Sequence, residues 1–327
     1  MGKPFVYVTR KVPEHCLGEL REFAEVEMWH EEEIPVDRET LLAKAKDATG
    51  LITMLSDQVN AELMDGAPNL KVIANLAVGF DNIDVDAATE RGIVVSNTPN
   101  VLTDTTADLT FSLLMATARR IPEAVNYVRE GQWKNWGPLL MAGTDIHHKT
   151  IGIVGMGRIG ATVAKRATGF DMEILYHNRS RKPEAEAELG AKYVSFDELI
   201  EQSDYVVCLA PLTADTKELF DLAAFRKMKN SAIFVNASRG AVVKEDDLQQ
   251  ALDEKEIAAA GLDVFLNEPI GADHPLLKYD NVVALPHIGS ASVETREEMT
   301  RLVGRHCANV IVGRKPEYIV NESVWKG

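Results

Sequence analysis

Three side chains that could bind, polarise and protonate an oxo acid follow three separate apolar runs late in the chain. Arg239 follows "AIFVNAS", Glu268 follows "AAGLDVF" and His287 follows "VVALP". A guanidinium can hold a carboxylate and a keto oxygen together through paired hydrogen bonds. An imidazole can donate the proton, and a neighbouring carboxylate favours its protonated form. The set therefore predicts hydride and proton transfer to a short 2-keto acid, with His287 as proton donor assisted by Glu268.

Each of these residues also has a simpler structural interpretation. Arg239 could be an ion-pair partner, Glu268 a solvated loop acid before Pro269, and His287 part of a Pro-His turn. Their joint placement after successive strands of one sheet favours function, because ligands of open α/β sheets bind beyond the carboxyl ends of the strands. Asp263, which follows one of these strands, is expected to contact the nicotinamide end of a cofactor or to orient its neighbours rather than to donate the proton. A purely structural role is the equal alternative.

A glycine turn that could hold a pyrophosphate lies in "TIGIVGMGRIGATVAKRA". Gly155 permits a tight turn, Gly157 lets the backbone approach the phosphates, and Gly160 lets the following helix pack closely. The helix N-terminus adds amide groups and a positive dipole. Glycine turns alone are common, but this one stands between a β-branched strand and an Ala-rich helix, which predicts dinucleotide binding.

The end of the next strand is basic where NAD-binding proteins usually carry an acid for the ribose hydroxyls. It reads Asn178, Arg179, Ser180 and Arg181, with no carboxylate. Guanidinium groups complement a phosphate by charge and by paired hydrogen bonds. This pattern predicts NADPH or NADP as the preferred cofactor, with NADH or NAD as the alternative. A solvated basic segment without a ligand is the simpler interpretation.

In the N-terminal part, "NLAVGFDNIDV" places Ala77, Val78 and Gly79 in a turn after a strand. Backbone N–H groups there could hold the substrate carboxylate. The segment "WKNWGPLLMAG", with Trp133 and Trp136, could cover a small apolar pocket, but a subunit interface is the better expectation.

Alternation of short apolar runs with helical segments predicts an α/β fold: two Rossmann-like domains, each a doubly wound parallel sheet, with a cleft between them. Five runs precede Asn100, and six more begin at "TIGIVGMG". Long helical segments are predicted from Asp104 to Gln132, with Pro122 near the start of the second. A last helix after Pro286 is long enough to return to the first domain.

Composition excludes several functional classes. The 327 residues carry a formal net charge of −15, which argues against a nucleic-acid partner because phosphate binding requires a basic face. No apolar run approaches the ~20 residues of a membrane-spanning helix. Cys16, Cys208 and Cys307 are few and far apart, as expected of reduced thiols in a cytoplasmic protein. No metal site is predicted.

The whole chain resembles the D-isomer-specific 2-hydroxyacid dehydrogenases, in the glyoxylate/hydroxypyruvate reductase branch. The most specific matching motifs are "NLAVGFDNIDV", "TADLTFSLLMATAR", "KTIGIVGMGRIG", "NASRGAVVKEDDLQQAL", "GLDVFLNEP" and "LPHIGSAS". The resemblance implies that Arg239, Glu268 and His287 are the catalytic set. It also implies a homodimer, with "TADLTFSLLMATAR" and "GQWKNWG" at the interface.

The resemblance further assigns domains and ligand contacts. Residues 1–100 and 290–327 would form a discontinuous substrate-binding (catalytic) domain, and residues 101–289 the dinucleotide-binding Rossmann domain. Substrate contacts would fall on Leu55, Val78, Gly79, Arg239 and His287. Cofactor contacts would fall on Gly155, Gly157, Arg158, Ile159, Gly160, Asn178, Arg179, Ser180, Arg181, Pro211, Ala237, Arg239, Asp263, His287, Gly289 and Ser290.

Two other functions are compatible with the same motifs. A 2-ketogluconate-type sugar-acid reductase would use the same mechanism with a roomier pocket. A dinucleotide-sensing corepressor of the C-terminal-binding-protein type would share the architecture and keep catalytic-looking residues. Turnover of a 2-keto acid with NADPH separates an enzyme from such a binding protein.

Overall fold

The computed structural model describes residues 2–325, which divide into two compact units. Unit 1 comprises residues 2–102 and 292–325, and unit 2 is the continuous segment Thr103–Ala291. Each unit has its own parallel sheet and its own hydrophobic core.

The secondary structure alternates between strand and helix along most of the chain. The strands are β1 Phe5–Val8, β2 Glu25–Met28, β3 Gly50–Thr53, β4 Val72–Asn75, β5 Val94–Ser96, β6 Thr150–Val154, β7 Glu173–His177, β8 Lys192–Tyr193, β9 Tyr205–Cys208, β10 Ile233–Asn236, β11 Ala259–Leu262 and β12 Val282–Ala284. The helices are α1 Gly18–Phe23, α2 Arg38–Ala45, α3 Ala61–Asp65, α4 Val85–Glu90, α5 Thr103–Ala118, α6 Ile121–Arg129, α7 Arg158–Thr168, α8 Pro183–Leu189, α9 Phe196–Gln202, α10 Leu222–Lys227, α11 Glu245–Asp253 and α12 Val293–Ile311. Short 3-10 segments occur at Glu14–Leu17, Gly240–Val242, Pro275–Lys278 and Glu322–Val324.

Unit 1 has a five-stranded parallel sheet in the order β2-β1-β3-β4-β5. Successive residues of its strands enter cores on opposite faces, so that Tyr7 lies in one core and Val6 and Val8 in the other. Burial on both faces explains why β1, β3, β4 and β5 are mostly apolar. The edge strand β2 exposes Glu25 and Glu27. The last helix, α12, contributes Val303 and Cys307 to the core that contains Val6.

Unit 2 has a seven-stranded parallel sheet in the order β12-β11-β10-β9-β6-β7-β8. The sequence predicted six of these strands. The seventh, β8, consists of only Lys192 and Tyr193 at the edge of the sheet. Two exposed residues with no apolar alternation give no strand pattern, which is why β8 was not predicted.

The register of unit 2 brings its functional loops to one edge of the sheet. One continuous row of paired residues crosses β6, β9, β10, β11 and β12, and it consists of Val154, Cys208, Asn236, Leu262 and Ala284. Each is the last residue of its strand. The segments that follow these strands therefore all leave the sheet at the same level, where ligands of open α/β sheets bind.

The predicted helical region after Asp104 consists of α5 and α6, which are separated by Arg120 in a left-handed conformation (φ 53°). Helix α6 has no buried residue and exposes Ile121, Val125 and Val128. Among residues 2–325, no helix is both long enough and apolar enough to span a bilayer.

Candidate active site

The glycine turn after β6 has the shape that a dinucleotide requires. Gly155 has φ 105°, and a Cβ there would lie 2.5 Å from the backbone nitrogen of Ala210. A Cβ on Gly160 would lie 2.3 Å from the carbonyl oxygen of Gly155, so helix and turn pack in direct contact. A Cβ on Gly157 would meet no protein atom within 4 Å. The turn is therefore tight where it touches protein and open at Gly157, which fits a pyrophosphate at the N-terminus of α7.

The strand end next to this turn is bonded to it. Asn178 accepts a hydrogen bond from the backbone N–H of Met156 (2.7 Å) and donates one to the Met156 carbonyl (3.1 Å). Its side-chain amide thus fixes the distance between the glycine turn and the end of β7. Arg158 and Ile159 occupy the first turn of α7, as a phosphate contact would require.

The basic residues of this end have different environments. Arg181 donates to Glu186 (Nε to Oε1, 3.0 Å), and its guanidinium lies 5.9 Å from the ring centre of Tyr193. Glu186 also accepts from the hydroxyl of Tyr176 at 2.6 Å. Arg179 is exposed and makes no side-chain hydrogen bond or ion pair with any residue from 2 to 325. Sequence reasoning did not find Glu186, because it lies beyond the strand end, in the first turn of α8.

Glu268 and His287 form a close pair. Nδ1 of His287 lies 2.7 Å from Oε2 of Glu268, and Oε1 of Glu268 accepts from the backbone N–H of Phe265 at 2.9 Å. Burial acts to raise the pKa of Glu268, but the hydrogen bond and charge of His287, the Phe265 N–H and the charge of Arg239 together hold it below its usual value. The carboxylate therefore stays charged beside the imidazole.

Asp263 binds the backbone of the two residues that follow His287. Its two carboxylate oxygens accept from the N–H groups of Ile288 and Gly289, both at 2.8 Å. Burial raises its pKa, although these hydrogen bonds oppose the shift. His287 itself has a positive φ of 54°, an uncommon conformation for a residue other than glycine. Asp263 thus anchors the turn that gives His287 its orientation.

Arg239 follows β10 directly and precedes the 3-10 turn Gly240–Val242. Its Nη1 donates to the Ser238 carbonyl at 2.8 Å, and its own carbonyl accepts from the side-chain amide of Asn236 at 3.0 Å. A Cβ on Gly240 would lie 1.9 Å from the backbone carbon of Phe265. The loop of Arg239 and the loop that leads to Glu268 are therefore in direct backbone contact.

The remaining predicted cofactor contacts of unit 2 also lie at this edge of the sheet. Ala237 follows β10, Gly289 and Ser290 follow β12, and Pro211 follows β9. The carbonyl of Pro211 accepts from the hydroxyl of Thr216 at 2.6 Å, which closes the loop after β9.

Leu55, Val78 and Gly79 lie in the loops that follow β3 and β4 of unit 1. Three asparagines organise these loops: Asn75, Asn82 and Asn97. Sequence reasoning did not assign a role to any of them. The available signal was their position, because Asn75 is the last residue of β4 and Asn97 immediately follows β5.

Known proteins resemble the chain in both sequence and fold. The family model "D-isomer specific 2-hydroxyacid dehydrogenase, NAD binding domain" matches residues 111–289. A glyoxylate reductase of Korarchaeum cryptofilum is 49% identical over 325 residues, covering 99% of this chain and 98% of that protein. A glyoxylate reductase of Thermococcus kodakarensis is 50% identical over 329 residues, with 99% and 98% coverage.

Among solved structures, an NADPH-dependent glyoxylate/hydroxypyruvate reductase from Sinorhizobium meliloti, in complex with NADP and malonate, superposes with a TM-score of 0.87. The two sequences are 32% identical, and the match covers 100% of this chain and 99% of that one. The chain belongs to the D-isomer-specific 2-hydroxyacid dehydrogenase family. Within that family it falls in the glyoxylate reductase branch, and it is an oxidoreductase that uses a nicotinamide dinucleotide.

Proposed function

We propose that the protein reduces glyoxylate, hydroxypyruvate or a similar short 2-keto acid to the corresponding 2-hydroxy acid, of D configuration where the product is chiral, with NADPH as the preferred reductant. The observation that carries this proposal is the pairing of Glu268 with Nδ1 of His287, at 2.7 Å, on the sheet edge that also carries the glycine turn. A bound reduced nicotinamide dinucleotide supplies the hydride. The protein must then bind the keto acid and supply one proton.

The contacts of His287 determine which of its nitrogens can act. Because Nδ1 faces Glu268, Nε2 is the nitrogen left to donate a proton to the substrate oxygen. The charged carboxylate stabilises the imidazolium before the transfer. Arg239 binds the carboxylate and the keto oxygen with its planar fork and polarises the carbonyl bond. Arg239, Glu268 and His287 are accordingly assigned as the catalytic residues.

The preference for NADPH is supported by the charges at the end of β7. Residues 177–182 include Arg179, Arg181 and Lys182 and no acid. Arg181 is held by Glu186, so its fork is ordered before a ligand arrives, while Arg179 has no protein partner among the described residues. A 2′-phosphate would gain charge-assisted hydrogen bonds from both. Arg179→Glu should therefore lower kcat/KM for NADPH and leave that for NADH little changed.

A panel of initial rates tests substrate, cofactor and enzymatic status together. Glyoxylate, hydroxypyruvate and six-carbon keto acids are each assayed with NADPH and with NADH. We expect the highest kcat/KM with a two- or three-carbon acid and NADPH. A higher kcat/KM with a six-carbon acid would replace this assignment by a sugar-acid reductase, and binding of NADPH without turnover would indicate a dinucleotide sensor.

We also propose a homodimer in which the exposed apolar face of unit 2 is covered by a second copy. Ile121, Val125 and Val128 lie on one side of α6, and Trp133 and Trp136 follow in the next loop with 60% and 77% exposure. Such a contiguous apolar surface is typical of an interface. Light scattering should give twice the mass of the chain, and Trp136→Glu should shift the protein toward monomer. A monomeric wild type would refute the dimer.

For the location of the protein we propose the cytoplasm, since all three cysteines are free thiols. Free thiols are typical of a reducing compartment. Cell fractionation with an antibody against the native protein tests this, and recovery in an extracellular fraction would contradict it.

A further inference from the structure

The turn that follows β4 has its carbonyl groups bound by side-chain amides. The carbonyl of Val78 accepts from Nδ2 of Asn97, and the carbonyl of Gly79 accepts from Nδ2 of Asn75, both at 2.8 Å. Asn75 is fully buried. Two asparagines from two different strand ends therefore hold two consecutive peptide groups of one turn.

A third peptide group of the turn is held by backbone. The carbonyl of Ala77 accepts from the N–H of Thr98 at 2.8 Å. In a planar trans peptide the N–H points away from the C=O of the same group. Fixing these three carbonyls therefore directs the N–H groups of Val78, Gly79 and Phe80 away from the bonded side. None of these three N–H groups donates to any residue from 2 to 325.

Asn75 is itself held from two sides. Its Oδ1 accepts from the hydroxyl of Thr53 at 2.9 Å, and its second amide hydrogen goes to Oδ1 of Asn82 at 3.1 Å. Asn82 in turn donates to the carbonyls of Met54 and Asp57, both at 3.0 Å. The turn after β4 and the loop that contains Leu55 are thus joined by one network of neutral amides.

Backbone N–H groups without a protein partner, fixed side by side in a turn, form an anion site. We propose that Asn97 and Asn75 are positioning residues that aim the N–H groups of Val78, Gly79 and Phe80 at the carboxylate of the 2-keto acid. This inference rests on the proposed function. What it adds is the role of Asn97 and Asn75 in orienting this turn, and it predicts that loss of either amide lowers the selectivity for acids over neutral carbonyl compounds.

Asn97→Asp tests the inference because it keeps the size of the side chain and replaces the amide donor by an acceptor. The Val78 carbonyl then loses its partner and its peptide group is free to turn. We expect KM for glyoxylate to rise by at least about tenfold, with KM for NADPH within about twofold of wild type. The ratio of kcat/KM for glyoxylate to that for its neutral methyl ester should fall by a similar factor, which a general loss of stability would not produce.

Asn100→Asp is the matched control. It introduces the same charge three residues along the chain, at an exposed side chain that donates to the hydroxyl of Tyr318 at 2.9 Å. It should leave both KM values unchanged. If Asn97→Asp does not fold, Asn97→Ala removes the donor without adding charge and should give the same change in selectivity.

The outcomes separate this inference from the proposed function. Wild-type turnover of glyoxylate together with an unchanged acid-to-ester ratio in the Asn97 variants would overturn the inference and leave the function intact. Absence of 2-keto acid turnover by the wild type would overturn the proposed function and this inference with it.

Discussion

His287 in unit 2 and His306 in unit 1 have opposite surroundings. Nδ1 of His287 lies 2.7 Å from a carboxylate, and its side chain is 29% exposed. His306, on α12, is fully buried, and neither of its ring nitrogens has a hydrogen-bond partner among residues 2–325. Burial lowers the pKa of His306 to about 4. The same residue type thus faces a carboxylate in one unit and is buried and kept neutral in the other.

The contrast extends to the loops at the carboxyl ends of the two sheets. Unit 2 brings ionisable side chains to this edge: Arg239, Glu268 and His287. Unit 1 has the neutral amides of Asn75, Asn82 and Asn97, which bind and orient backbone groups. Chemistry that moves a proton requires titratable groups, whereas recognition of a fixed charge can use oriented backbone dipoles. The variants below test this division between the two units.

The largest effect is expected from His287→Ala. Loss of a general acid typically lowers the rate by 10²–10⁴, and we expect kcat to fall about 1,000-fold while the dissociation constant of NADPH stays within about twofold. Stopped-flow rates and a fluorescence titration measure the two quantities. His147→Ala, at an exposed histidine of the same unit, serves as control. Wild-type kcat in the His287 variant would remove the proton donor from the mechanism.

His306→Phe tests whether burial keeps His306 neutral in the folded chain. Between pH 6.5 and 4 the unfolded chain binds a proton at this residue and the folded chain does not, so the free energy of unfolding falls as the pH falls. From pH 8 to pH 4 this residue accounts for a loss of about 3 kcal/mol. Phe keeps a ring against Tyr318 and cannot titrate.

Urea unfolding at both pH values should therefore show a smaller loss for the variant than for the wild type. Glu317 raises and Arg305 lowers the pKa of His306, and both remain in the variant. Equal pH dependence of the two proteins would show that His306 is not held neutral.

Glu268→Gln tests the negative charge beside Nδ1 of His287, because glutamine has nearly the same size and shape as glutamate but no charge. A hydrogen bond to a charged group is worth about 1.5–3 kcal/mol, so we expect kcat for reduction to fall about tenfold to a hundredfold. An unchanged kcat would mean that the negative charge of Glu268 is not needed for reduction. The control, Glu256→Gln, changes an acid that lies 3.5 Å from Nε of Arg226 on the surface.

The smallest effect is expected from Gly157→Ala, which tests whether backbone groups of unit 2 bind the pyrophosphate of the cofactor. No protein atom lies within 4 Å of the added Cβ, and φ is −87°, so the melting temperature should be unchanged. The methyl group would occupy the space assigned to the pyrophosphate, and KM for NADPH should rise about tenfold. Unchanged NADPH binding would place the phosphates elsewhere.

Gly155→Ala is the matched comparison. Its φ of 105° and a contact of 2.5 Å with the Ala210 backbone nitrogen predict destabilisation of the fold itself, measured as a lower melting temperature.

The sequence predicted the parts of the fold that depend on long apolar runs. The five strands of unit 1 and six of the seven of unit 2 were predicted, most of them because burial on both faces favours continuous apolar runs. The edge strand β2 is an exception, with Glu25 and Glu27 exposed. The strand β8 was missed because its two residues are exposed at the sheet edge.

For the candidate site, the sequence predicted the side chains proposed to act in the reaction. It did not predict the residues whose hydrogen bonds position them. Arg239, Glu268 and His287 were predicted because few residue types can perform their chemistry. Asn97 and Glu186 were not, because an asparagine or a glutamate outside a motif has many ordinary roles. Their importance depends on partners distant in the chain, such as the Val78 carbonyl, which is 19 residues away from Asn97. Only the folded structure shows these pairs.

The position of α12 has a consequence for how the molecule is made. This helix packs against β3, β4 and α1 of unit 1, yet the ribosome synthesises it after the whole of unit 2. Unit 2 is a single uninterrupted segment and can complete its core as soon as it emerges. The sheet formed by residues 2–102 must therefore wait, with one side uncovered, until α12 has been synthesised.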